Sequence, residues 1–192
     1  MMGKRVLLSL GLVIIVGASI FALVKFQDKR TPVARLAEER EVYLVLLADE
    51  SVSDGIYPIV EFTTLGDLKE CSSRDCTQFI FDGLPEIRRT TVVDFQRNNS
   101  QSYPVQEYLP SAPAFDVRLV DPAENGELLW RMSFSRIGFN SSLDQALVIV
   151  EEYAACQHGA CEYGTGNFVL LHKVNEEWTI QDYLEIWHMH PT

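Results

Sequence analysis

Two histidines one residue apart stand near the end of the chain in His188-Met189-His190. On an extended strand residues i and i+2 project from one face, which is the geometry a metal chelate needs, and His158 or His172 would be the third nitrogen. Without a carboxylate or cysteine at ligand spacing, the pair reads more simply as a polar terminus after Trp187. Arg136, Asn140 and Gln145 flank a predicted hairpin and form a candidate binding surface for a carboxylate or a peptide. Asn140-Ser141-Ser142 is also turn-forming, and Arg136 has many acids with which to pair. Glu151-Glu152 has the composition of a general acid/base couple, but neighbours on a strand point to opposite faces, so the pair reads as a solvated strand end. Phosphate-loop, dinucleotide, HExxH and GxSxG patterns are absent, and neither a catalytic residue nor a cofactor is assigned.

Four cysteines fall into two pairs of equal spacing, Cys71-SSRD-Cys76 and Cys156-QHGA-Cys161. In an oxidising compartment each pair closes a small ring whose chain-entropy contribution is only about 2 kcal/mol. Three pairings are open to four cysteines, and local pairing is the economical one, because each pair brackets polar, turn-forming residues. A zinc site is the competing reading; ribbons and fingers favour two to four residues between ligands and glycine-supported knuckles, of which Gly159 alone is present.

Charge is unevenly placed. Residues 1–30 hold five of the 16 basic residues and one of the 27 acids. The remaining 11 basic and 26 acidic residues give the body a net charge of −15, which repels phosphate backbones and excludes nucleic acid as a partner. Val6–Val24 is uncharged, preceded by Lys4-Arg5 and followed by Lys25. As a helix it is roughly 28 Å long, close to the hydrocarbon thickness of a bilayer. We read residues 1–5 as a cytoplasmic tail, 6–24 as a transmembrane anchor or signal and 25–34 as a linker. Residues 35–192 then form one extracytoplasmic domain. Lys4, Arg5 and the amino group stand on one side and Lys25, Lys29, Arg30, Arg35 and Arg40 on the other, so counting basic residues does not favour export of the C-terminal part, and a cytosolic domain is the alternative. The outward orientation rests on the signal-like tail and on the paired cysteines.

The elements that must position these residues are α+β. Arg35–Asp49 has a wide apolar helical face, Tyr57–Thr63 has strand composition, Gly66–Asp82 reads as a polar loop, and Thr91 with Asp94 resembles a capping box opening a helix through Asn98. Prolines 104, 110 and 113 predict an irregular stretch. From Ala114 onward, runs at Ala114–Val120, Leu128–Phe139, Gln145–Tyr153, Asn167–Val174 and Trp178–His188 are separated by turn formers, as expected of an antiparallel meander of four to five strands covered by the N-terminal helices. In the last run Trp178, Ile180, Leu184 and Ile186 share one parity, which predicts one buried and one wet face. The aromatic residues read mostly as core, and a pocket between helix and curved sheet is the default ligand site.

Ser135-Arg-Ile-Gly-Phe-Asn140, Gln145-Ala-Leu-Val148, the cysteines at 156 and 161, Gly164, Gly166, Leu170-Leu171, Trp178 and Trp187 together resemble a group of uncharacterised exported bacterial proteins. Those proteins close with a segment of the type SRVGFN...QALVYV...C...C...G...YYLL...W. Asp94-Phe95, Asn98, Ser102-Tyr103-Pro104 and Ile59–Thr64 extend the likeness over about residues 38–187; Gln157-His158 and the tail from His188 to Thr192 depart from it. The resemblance implies an extracytoplasmic location and an intact globular unit. The functional expectation is a membrane-held binding or interaction module for an unknown protein or small ligand. The alternative is an envelope hydrolase or metal-dependent enzyme using His172, His188 or His190.

Overall fold

The computed structural model describes residues 31–49, 56–60, 63, 74–109, 116–120, 128–156 and 163–189. The apolar segment 6–24, Cys71, Cys161, His158 and His190 lie outside them. No helix among the described residues is long and apolar enough to cross a membrane. The chain divides into Met1–Ala37 and Glu38–Thr192. Of the first unit, the described part opens a helix: Thr31 Oγ1 accepts the N–H of Ala34 at 3.2 Å, and Pro32, read above as linker, is the first helical residue, where its missing N–H costs nothing.

That helix, α1 (Pro32–Asp49), buries Glu39, Val42, Tyr43, Leu46 and Leu47, a stripe of the i, i+3, i+4, i+7 kind. Strand β1 (Ile56–Val60) follows, then helices α2 (Arg74–Gly83) and α3 (Arg89–Asn98), a 3₁₀ turn (Val105–Glu107) and strand β2 (Asp116–Val120). Strands β3 (Leu128–Phe134), β4 (Gly138–Phe139), β5 (Gln145–Cys156), β6 (Tyr163–Val174) and β7 (Glu177–Met189) complete an α+β domain. Its sheet runs β2-β1-β3-β5-β6-β7, with β4 also on β5.

Four expectations are corrected here. The run Ala114–Val120 is not in the meander: its described part, β2, pairs parallel with β1, and β1 pairs parallel with β3. Parallel pairing needs a long crossover, and the segment between β1 and β2 supplies it with α2 and α3. The segment Gly66–Asp82 is not all loop, because Cys76, Ile80 and Leu84 recur every four residues and are buried as one helical face. Cys76, held in a disulfide, therefore sits on a helix rather than in a surface loop. Finally, Thr91 and Asp94 do not cap α3: its N-cap is Arg88, without a side-chain cap bond, and both residues are spent on tertiary contacts.

The sheet is covered on both faces rather than one. Ala146, Val148 and Val150 of β5 pack with α1, β3, Val169 and Leu171. Leu147 and Ile149, pointing the other way, pack with Ile80 of α2, Val92 and Phe95 of α3, Phe168 and Leu170. Continuous burial from Gln145 to Glu151 is the pattern of a strand sandwiched between layers.

Strand β7 breaks its own parity. Leu171 faces Ile180 but Leu170 faces Asp182, so Gln181 is an extra residue; a second irregularity falls between Gly166 and Asn167. A bulge of this kind reverses the facing of everything beyond it. Trp178 and Ile180 belong to the α1 face, whereas Leu184 and Ile186 join the α2–α3 face, which corrects the single buried face expected from their common spacing. Past the second irregularity Trp187 lies over Gly166 and Gly164, where a Cβ would run into its indole, and stacks on Tyr153 at 5.4 Å between ring centres. Gly166→Ala is expected to push the ring off and cost about 1–2 kcal/mol, read as a lower urea midpoint with altered tryptophan fluorescence.

Candidate functional site

After Ser135, whose N–H still donates to the Ile149 carbonyl of β5 at 3.0 Å, the chain leaves the ladder up to β4, so the backbone groups there need partners. Side chains supply them. Asn99 Oδ1 accepts the Arg136 N–H at 2.8 Å and its Nδ2 donates to the Arg136 carbonyl at 2.8 Å. Asn98 Nδ2 donates to the Ile137 carbonyl at 3.0 Å, and Asp94 Oδ2 accepts the Phe139 N–H at 2.9 Å. Tyr43 Oη donates to the Ser135 carbonyl at 2.9 Å. The stretch thus held aims Arg136 at α1. There its guanidinium donates to both oxygens of Glu39 at 2.9 and 3.2 Å and lies 3.6 Å from the centre of the Tyr108 ring. Burial pulls the Arg136 guanidinium down, but the Glu39 carboxylate outweighs it and holds the group above its ordinary value.

Asn140 and Gln145, the other two residues of the expected polar surface, are 3% and 0% exposed. Asn140 Oδ1 accepts the N–H groups of Asp144 and Gln145 and so closes the turn before β5. Gln145 joins three elements: its Oε1 accepts the Arg88 N–H and the Thr91 hydroxyl, each at 2.7 Å, and its Nε2 donates to the Glu86 carbonyl at 3.0 Å. The three residues therefore bind the protein's own backbone and side chains.

The two described histidines, His172 and His188, do not converge. His172 pairs with Thr179 and His188 with Thr165 at opposite ends of the β6–β7 ladder, about 23 Å apart at 3.3 Å per residue. His172 lies 2.6 Å from Gln145 Nε2, and His188 stacks edge-on with Tyr163 near Glu185. No group of three metal-ligating side chains exists among the described residues. Glu151 and Glu152 point to opposite faces, but Glu151, expected in solvent, is 4% exposed.

Glu152 opens a different site. Between the last turn of α1 and the face of β5, β6 and β7 lies a cleft of about 20 Å³, floored by Leu46, Val150, Val169 and Ile180. Such a volume admits one water-sized group. Asp49, Glu152, Asn167 and Tyr183 supply its polar atoms. The bulge at Gln181 is what turns Tyr183 onto this face, opposite Val169. The Tyr183 hydroxyl donates to Asp49 Oδ2 at 2.5 Å, and Asn167 Nδ2 donates to Thr165 Oγ1 at 3.1 Å. The Tyr183 hydroxyl and one of the two Asn167 Nδ2 hydrogens are therefore committed, which leaves Asp49 Oδ1, the Asn167 side-chain carbonyl and the Glu152 carboxylate as acceptors against a single remaining amide N–H. Glu152 has no ion-pair partner among the described residues. The carboxyl end of α1, whose last turn holds no basic residue, adds its partial negative charge. Of the four polar residues only Glu152 was weighed for chemistry, as half of a couple with Glu151, and Tyr183 was read with the aromatic core; that the four meet was not legible, since each comes from a different part of the chain.

Comparison with family models, with curated proteins and with solved structures gives no match.

Proposed function

We propose that the domain is a non-enzymatic binding module that takes a primary ammonium group, carried on an aliphatic stem, into the cleft between α1 and the sheet. The observation that carries the proposal is the surplus of acceptors around a water-sized, apolar-floored space. Two carboxylates and an amide carbonyl surround it, while its hydroxyl and one of its two amide hydrogens are committed to Asp49 and Thr165, so the acceptors outnumber the one N–H left over. An ammonium brings three N–H donors, matches the negative charge and leaves its methylene stem against Leu46 and Ile180. A hydrated divalent ion gains nothing from such a floor. In this proposal the segment 6–24 holds the module at the outer face of a membrane, where lysine side chains of envelope proteins and free alkyl amines are the accessible ligands.

Calorimetric titration of the full chain in detergent with 1,5-diaminopentane tests the reading. Saturable binding is expected, weakened about tenfold or more by Glu152→Gln or Asp49→Asn, the loss appropriate to one charge-assisted hydrogen bond. Absence of saturation, or equal competition by 1-pentanol, rejects the cleft as an ammonium site.

A further inference from the structure

The Gln145 amide cannot be turned around. Its Oε1 accepts two donors, the Arg88 N–H and the Thr91 hydroxyl, and one N–H of its Nε2 serves the Glu86 carbonyl. The second Nε2 hydrogen is left for His172 Nε2 at 2.6 Å, so that ring nitrogen must be an acceptor and the imidazole must be neutral, with its proton on Nδ1. A protonated ring would set N–H against N–H. Among the described residues three charged groups act on the ring. Arg88 and Glu86 face it from the α2–α3 connection and Asp144 from the turn before β5; Thr91 of α3 and Thr179 of β7 are uncharged. Arg88 is itself paired with Asp144, and Glu86 accepts from Gln181 of β7. Burial pulls the imidazole below its ordinary value, Arg88 adds to this, and Glu86 and Asp144 oppose it.

We propose that His172 is a proton-operated latch. While neutral it anchors the Gln145 amide, and through Gln145 it fastens the α2–α3 connection, Leu84–Arg88, and the start of α3 to β5. On protonation the amide loses its acceptor and gains a repelling donor, and the connection opens. The linkage has one sign. The opened state carries an ordinary histidine and the closed state a depressed one, so opening is independent of pH above about 6.5 and grows easier below it, by up to about tenfold per pH unit until the closed-state value is reached.

The test uses the full chain in detergent. Proton NMR of the His172 ring reads its titration, and hydrogen exchange of the Arg88 amide, expressed as a protection factor, reads the latch. His172 is expected to titrate below the ordinary histidine range, and Arg88 protection is expected to fall several-fold to about tenfold between pH 7.5 and 5.5. In His172→Gln, which still offers an acceptor but cannot titrate, Arg88 protection is expected to stay flat. An Arg88 amide equally protected at both pH values, a His172 that titrates at or above the ordinary value, or an equal fall in His172→Gln each overturns the proposal. The first two are read on the wild-type chain and decide the matter if the variant does not fold.

Discussion

Glu39→Ala is expected to cost about 3–5 kcal/mol of unfolding free energy, because it strips a buried guanidinium of its counter-ion. Glu39 is 1% exposed and the Arg136 side chain 13%, so water cannot take over the carboxylate's role. The guanidinium cannot swing out without abandoning the ring of Tyr108 at 3.6 Å, and its Nε is already buried without a hydrogen-bond partner. Its backbone is fixed as well, through Asn99 on both the N–H and the carbonyl of Arg136. Urea unfolding should show a lower midpoint at an unchanged slope, and the melting temperature should drop by roughly 10 °C or more. The double variant Glu39→Leu with Arg136→Met should recover most of the loss, since both desolvated charges then vanish together and apolar volume remains. A single-variant loss below about 1 kcal/mol would mean that the pair behaves as an exposed one.

The same segment shows what a single sequence can and cannot disclose. The long strands were legible: β-branched runs over 145–153 and 167–174 mark β5 and β6, and Asn175-Glu176, both with positive φ, make the hairpin turn into β7 where turn formers were read. The first helix was legible from its apolar stripe, although its first three residues were assigned to a linker. The polar residues were not. Thr91 and Asp94 have the spacing of a capping box, yet the hydroxyl goes to Gln145 and the carboxylate to the N–H of Phe139. Local spacing offers both uses, and which one wins depends on a strand some fifty residues downstream. The bulge at Gln181 is invisible for a related reason. Trp178, Ile180, Leu184 and Ile186 share one parity, and between them only Asp182 on that parity and Tyr183 off it interrupt the pattern beside the inserted residue that splits the four between two cores. A pocket between helix and sheet was expected, but its polar lining was not legible, because Tyr183 reaches it only across the bulge and Asp49 only through the end of α1.

The residues from which a family resemblance was expected acquire a physical meaning in the same way, although no comparison matches them to a family. Asp94, Phe95, Asn98 and the run Ser135–Asn140 are two halves of one joint, in which a helix supplies hydrogen bonds to a strand that has left its ladder. Such a joint demands residue types without reference to any ligand. Their presence therefore speaks for the fold, and the functional argument has to come from Asp49, Glu152, Asn167 and Tyr183, which lie outside it.

Gly138→Ala is the sharpest test of that joint. A Cβ at position 138 would fall on the backbone N and Cα of Phe95 and on its Cβ. The obstacle is helix backbone, not the far end of a side chain, so nothing local can yield. Helix α3 would have to lift as a unit, and it is pinned by Asp94 on Phe139, Asn98 on Ile137 and Asn99 on Arg136. Lifting it also opens the packing of Phe95 against Phe168, whose rings meet edge to face at 5.7 Å. The expected loss is about 3 kcal/mol, the top of the usual range for overpacking, and more if the buried Phe139 N–H loses its carboxylate acceptor. Hydrogen exchange should show that amide losing protection ahead of global unfolding. Gly83→Ala provides the contrast, because its Cβ would meet only the end of the Leu184 side chain, which can rotate away, and a loss of no more than about 1 kcal/mol is expected there. Equal losses at the two glycines would show that α3 is free to shift, and the clamp on Ser135–Phe139 would then not be what fixes Arg136 against α1.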